Sequence, residues 1–161
     1  MNDLSVTAIQ AIQAMLAPAV GISAVGLLLL GLNTRYSTII NRIRLLNDEK
    51  RKYLRLIADN VELSYTDNSR YMSVVNQGKE LLIRSRLVRN AILSHQTAVG
   101  LFVLASAAIG VNLFTTSEMM RAVPLMLFVV GMFSVFVGVV FAAREVYRSY
   151  KIVLIEVKAE E

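Results

Sequence analysis

Apolar positions along this chain follow two regimes. In three stretches they are continuous: Ala14 to Leu32, Ala91 to Phe114 and Ala122 to Ala143 contain no Asp, Glu, Lys or Arg. Elsewhere they recur at three- and four-residue steps between polar residues. The first regime is that of a helix surrounded by lipid, and the shortest stretch has 19 residues. About 20 residues at roughly 1.5 Å rise per residue cross the hydrocarbon core, so each stretch is long enough to span it.

The second regime begins where the first stretch ends. From Ala17 to Arg44 neither Pro nor Gly interrupts the chain after Gly31, so one helix is expected to leave the membrane and continue. Tyr36, Ile39, Ile40, Ile43, Leu46, Tyr53, Leu54 and Ile57 form a coiled-coil-like seam with one weak position at Lys50. Asp59 to Asn68, rich in Asp and Asn, reads as a turn. A second seam follows at Val74, Val75, Gly78, Leu81, Leu82, Val88 and Ile92 and runs into the second apolar stretch without a breaker. Arms of 26 and 22 residues, 33–58 and 69–90, predict an antiparallel hairpin about 35 Å tall by helix rise.

At the N-terminus, residues 2–16 have the spacing of a short interfacial helix, capped by Asp3, Ser5 or Thr7, with Pro18 starting the next helix. Thr115 to Arg121 reads as a short loop, and Pro124 as a first-turn residue of the third span. The tail from Arg144 carries Val146, Tyr147, Tyr150, Val153, Leu154 and Val157 at helical steps and is expected to continue that span and pack on the hairpin base. The fold class is therefore all-α. The chain reads as one integral membrane domain, 1–161, with spans at about 14–32, 91–114 and 122–143. A cytoplasmic antiparallel helical hairpin at 33–90 joins the first two spans, and a cytoplasmic tail fills 144–161.

Charge supplies the orientation. Of 17 Lys and Arg residues, 12 lie in 33–90 and 4 in 144–161, leaving only Arg121 elsewhere. By the positive-inside rule the hairpin and C-terminus face the cytoplasm and the N-terminus lies outside. The first stretch is expected to be an uncleaved anchor, because its leading segment lacks basic residues and contains Asp3. Hydrophobic residues make up 55% of the chain, too many for an ordinary soluble domain. Cys is absent and His occurs once, which excludes disulfides, structural zinc and a cysteine nucleophile.

Small residues mark helix contacts in lipid, where burial in lipid gives little drive to associate. Ala17, Gly21 and Ala24 form one stripe in the first span, with Gly31 near its end. In the third span Ser134, Gly138 and Ala142 repeat at four-residue steps, with Gly131 three before; Ser94, Ala98, Ala105 and Ala108 are a looser set in the second. These stripes serve packing within the chain, or present one face to another subunit.

Candidate chemistry is sparse. Ser94 and His95 are adjacent on a helix and face different directions, so no nucleophile–base pair is visible, and no phosphate-cradling Gly loop occurs. The turn at 59–68 lacks the register and central Gly of a calcium loop. The chain is expected to be no enzyme and to need no cofactor or metal. The polar stretch Asn90, Ser94, His95, Gln96 and Thr97 at the inner end of the second span, with Asn112 further along, serves either headgroup contact and interhelical hydrogen bonding or a water-filled pore mouth or notch. There His95 would supply the side chain whose charge ordinarily changes near neutral pH. Arg35, Arg42, Arg44, Arg84, Arg86, Arg89, Arg144 and Arg148 form a basic collar suited to anionic lipid headgroups. Its place at the membrane argues against a nucleic-acid partner.

The passage LLLLGLNTR to NRIR, within residues 22–44 and followed by LLNDEK, together with RSRLVRNAI before the second span, resembles the bacterial membrane family known as domain of unknown function number twenty-seven twenty-one. The resemblance implies a small bacterial inner-membrane protein with three spans and the hairpin, and carries no activity. In layout alone the chain is also similar to the Oxa1-type insertases, with no shared motif. Three functions fit: a homo-oligomeric membrane assembly, of which an ion-conducting pore is one form, an insertase-like or chaperone module receiving a client protein, and an adaptor whose hairpin holds a soluble partner. The first is preferred.

Overall fold

The computed structural model describes the backbone of residues 2–59, 64–112 and 118–159, and the side chains of 9–10, 12–59, 64–112 and 122–149. Among these residues there are three helices: α1 (Asn2–Ala58), α2 (Tyr65–Asn112) and α3 (Glu118–Ala159). All three are long and apolar enough to cross a membrane.

Both prolines lie inside helices. The interfacial helix expected at 2–16 is not separate: α1 runs through Pro18 without a break. Pro124 is likewise six residues inside α3, and residues 118–121, expected in a loop, are helical. Each proline removes one backbone hydrogen bond, a loss that neighbouring helices make tolerable in membrane segments. The expected caps Asp3, Ser5 and Thr7 lie outside the described side chains, as does the tail seam from Tyr150 onward; loop residues 113–117 and turn residues 60–63 are outside the description altogether.

The turn is shorter than its composition suggests. The N–H of Asp59 donates to the Arg55 carbonyl at 2.9 Å as α1 ends, and that of Asn68 to the Ser64 carbonyl at 3.0 Å as α2 begins. Ser64 sits at the cap position, its hydroxyl 3.1 Å from that of Thr66, with Asp67 in the first turn. Ser, Thr and Asp favour a turn and a helix start alike, and in Ser64–Asp67 the second use prevails.

Buried positions recur every seven residues. In α1 they are Pro18, Val25, Leu32, Ile39 and Leu46; in α3, Pro124, Gly131, Gly138 and Glu145; in α2, Val88, His95 and Phe102 beside Ala91, Ala98 and Ala105. A seven-residue repeat keeps one seam facing its neighbours when helices wrap with a left-handed supercoil. The apolar stretches blur this period, because most positions on every face of them are hydrophobic.

The helices form two compact units, Met1–Leu32 with Asn90–Ala142 and Asn33–Arg89 with Ala143–Glu161. The first is built around Val25, Ala98 and Phe102, flanked by Ile22, Leu29, Val99, Phe128 and Val135. Phe102 fills a slot between two glycines. A Cβ on Gly131 would stand 2.6 Å from its Cε1, and one on Gly21 2.9 Å from its Cε2. Its ring also packs on Phe128, centroids 5.3 Å apart. Outward-facing positions are apolar too: Leu27 is 75% and Phe133 65% exposed. A helix face so apolar and so exposed matches lipid rather than water.

In the second unit the α1 and α2 segments run antiparallel. Tyr53 meets Tyr71 edge to face at 6.2 Å, Glu49 pairs with Arg70 at 2.8 Å, and Leu46 and Val74 share a cleft nearer the chain's apolar stretches. Leu54 and Ile57, expected on the α1 seam, are exposed, as is Leu82 on α2. The seam of α1 ends at half-buried Tyr53 because later apolar residues are off the seven-residue row.

Candidate functional site

The polar stretch of α2 turns its members in different directions. Asn90 and Ser94 are half-buried, His95 is buried, and Gln96 and Thr97 are exposed. Ser94 and Thr97 donate back to the carbonyls of Asn90 and Leu93, each at 3.0 Å, as hydroxyls do on membrane helices. Ser134 of α3 donates to the Ser94 carbonyl at 2.7 Å, an interhelical bond to backbone. Asn112, at the end of α2, is half-buried and also engaged.

His95 does not line an open notch within the chain. Its ring lies against the backbone of Gly138, where any Cβ would collide with the imidazole. Nδ1 is 2.7 Å from the Ala91 carbonyl, which can only accept, so Nδ1 carries the proton. Nε2 is buried as well, and it has no partner among the described residues. His95 and Phe102, seven apart on α2, thus use Gly138 and Gly131, seven apart on α3, as two matching slots.

Other small residues divide. Gly21, Gly131 and Gly138 are contact points and Ala142 is half-buried, but Ala24, expected beside Gly21, is exposed. Three residues turn a helix through about 300° and four through about 400°, so the seam passes from Gly21 to Val25 instead. Gly31 is exposed, with open space around it.

The second unit holds a charged junction centred on Glu145, which is 4% exposed. One carboxylate oxygen, Oε1, accepts from Arg84 Nε at 3.0 Å, Arg84 Nη2 at 2.9 Å and the Ser149 hydroxyl at 3.1 Å. The other, Oε2, faces Arg35 Nη1 at 3.8 Å, too long for a hydrogen bond. Arg148 reaches Glu80 at 3.4 Å. Of the collar arginines, Arg84 is half-buried and doubly hydrogen-bonded to Glu145, and Arg148 and Arg35 make longer contacts to Glu80 and Glu145. Arg35, Arg42, Arg44, Arg86, Arg89, Arg144 and Arg148 are exposed.

Glu145 is the residue that sequence reasoning missed. It lies two positions after the third apolar stretch, and its seven-residue spacing from Gly138, Gly131 and Pro124 was the available signal. Farther from the apolar segments, the Arg70 hydrogen bond holds the Glu49 carboxyl below its ordinary value of 4.5, partly opposed by burial, while Glu49 raises Arg70. No group of three or more His, Asp or Glu able to hold a metal occurs among the described residues.

Three long apolar helices, uncharged cores and an outward-facing hydrophobic surface define a small all-helical protein of the multi-pass membrane class. Residues 15–155 match the family model described as Protein of unknown function (DUF2721), and the chain belongs to that family. Neither a curated protein nor a solved structure matches it.

Proposed function

We propose that this protein is a non-catalytic component of a bacterial inner membrane that works as a homo-oligomer, its N-terminus outside and residues 33–90 and 144–161 in the cytoplasm. Gln96 is the observation that supports self-association. It is exposed, five residues inside the second apolar stretch, and its amide has no hydrogen-bond partner among the described residues. An amide left unpaired in an apolar medium costs roughly 2–7 kcal/mol, whereas pairing between membrane helices gains about 1 kcal/mol. One turn further, a Cβ on Gly100 would meet nothing within 4 Å, leaving room for another backbone. A conducting path, if the assembly is a pore, lies between copies on the face that carries Gln96.

The test is the number of subunits in lipid, read by native mass spectrometry and by photo-cross-linking from position 96. Cross-links to sister subunits, weakened in Gln96→Leu, support the reading, and single-channel recording of the reconstituted oligomer then decides conduction. A strict monomer at physiological density removes both oligomer and pore. Cross-links to nascent membrane proteins would favour the insertase-like alternative, and function that survives replacement of the spans would favour the adaptor.

A further inference from the structure

The charged junction of the second unit opens on a cleft of about 370 Å³, lined by Thr34, Arg35, Thr38, Arg84, Glu145 and Ser149 among others. Its charges do not balance: two guanidinium groups face one carboxylate. Glu145 Oε1 is taken up by Arg84 and Ser149, while Oε2 accepts no hydrogen bond and faces Arg35, so one carboxylate is shared between two guanidinium groups. Arg35 is held only loosely at 3.8 Å, and its side chain is 58% exposed. A fork of N–H donors with a free face, beside a second arginine fixed in place, is the arrangement that takes a tetrahedral oxyanion. Net charge of plus one calls for a monoanion.

Position along the helices narrows the source. Arg35 is three residues beyond Leu32, where the first uncharged stretch ends, and Glu145 is two beyond Ala143. At about 1.5 Å per residue both lie within 5 Å of the ends of apolar segments, the depth of headgroup phosphates. We infer that this cleft is a binding site for a phosphate monoanion, with Arg35 as its principal donor, and that a phospholipid phosphodiester fills it in the membrane. The inference deepens the membrane reading above and does not depend on self-association. It also separates Arg35 from the rest of the collar, whose exposed arginines attract anionic lipid without a shaped seat.

The experiment uses the full-length protein in a neutral detergent and records lipid adducts by native mass spectrometry. Short-chain phosphatidylglycerol, the same lipid with a choline headgroup, and inorganic phosphate are titrated separately. Saturable binding of phosphatidylglycerol at one site per chain, competed by phosphate, is expected. Arg35→Gln should weaken it by about fivefold, one basic side chain's attraction for an anionic lipid, while Arg44→Gln leaves it unchanged. Phosphate binding that depends on Arg35, with no lipid bound, keeps the site and assigns it to a soluble anion. Absence of both, or equal losses in Arg35→Gln and Arg44→Gln, overturns it. The same spectra count subunits, so a monomer with the adduct refutes only the oligomer, and an oligomer without it refutes only the site.

Discussion

Gly131→Ala adds one methyl group at the tightest contact in the membrane unit. Its Cβ would fall 2.6 Å from Phe102 Cε1 and 2.9 Å from Cδ1, about an ångström inside ordinary carbon contact of roughly 3.5–4.0 Å. The ring has little room to retreat, because its opposite edge already lies close against Gly21, near enough that a Cβ there would stand 2.9 Å from Cε2. Overpacking of this kind costs about 1–3 kcal/mol, against which alanine gains up to about 1 kcal/mol in helix propensity. Between about 0 and 3 kcal/mol remains, and the closeness of the clash puts the expected net loss at about 1–2 kcal/mol. Phe102→Leu alone removes buried area and costs about 1–2 kcal/mol, but it also vacates the space that the new methyl needs. The double variant should therefore be more stable than the sum of the single effects predicts, by at least about 0.5 kcal/mol. Unfolding by sodium dodecyl sulfate in mixed micelles, followed by circular dichroism, measures all four corners of the cycle. Gly26→Ala and Gly31→Ala are the controls: a Cβ at either meets nothing within 4 Å, so both should be neutral or slightly stabilising. Wild-type stability for Gly131→Ala, or strict additivity in the cycle, would refute the slot between the two glycines.

Further expectations concern the polar groups. Glu145→Ala strips Arg84 of its partner and should cost about 1–3 kcal/mol, less than a fully buried pair because Arg84 keeps some access to water; Arg35→Gln should cost at most about 1 kcal/mol in the same titration, since its contact is long and exposed. The Glu49 carboxyl is depressed in the folded chain, so its bond to Arg70 is intact above 4.5 and is lost as pH falls through the lowered value. Amide exchange in 45–53 and 66–74 should accordingly quicken in acid relative to Arg70→Gln, which starts without the bond; identical acid responses would remove that contact. The chain has no Cys, so Lys52→Cys provides a unique thiol. It should react with an impermeant reagent only from the cytoplasmic side, and labelling from the periplasm would invert the proposed orientation.

Hydropathy alone determined the helical class, the three apolar segments and the amphipathic arms, since twenty uncharged residues admit few other structures where water is scarce. It also marked Gly21, Gly131 and Gly138 as small residues suited to close approach. It could not say what approaches them. Where most residues on every face are apolar, hydropathy offers little contrast; the seven-residue spacing of Gly131 and Gly138 was legible, but the Phe102 slot and the turning of Ala24 outward emerge only from packing. The same holds for the polar groups. His95 and Gln96 are neighbours in sequence and fell in one candidate polar stretch, yet a step of about 100° along α2 buries the first against Gly138 and leaves the second outside. The expected continuation of α3 past its apolar segment did not by itself single out Glu145; only the packing that brings Arg84 and Arg35 to it does. Burial of a charge depends on what three helices place around it, and that is settled by their register and not by local composition.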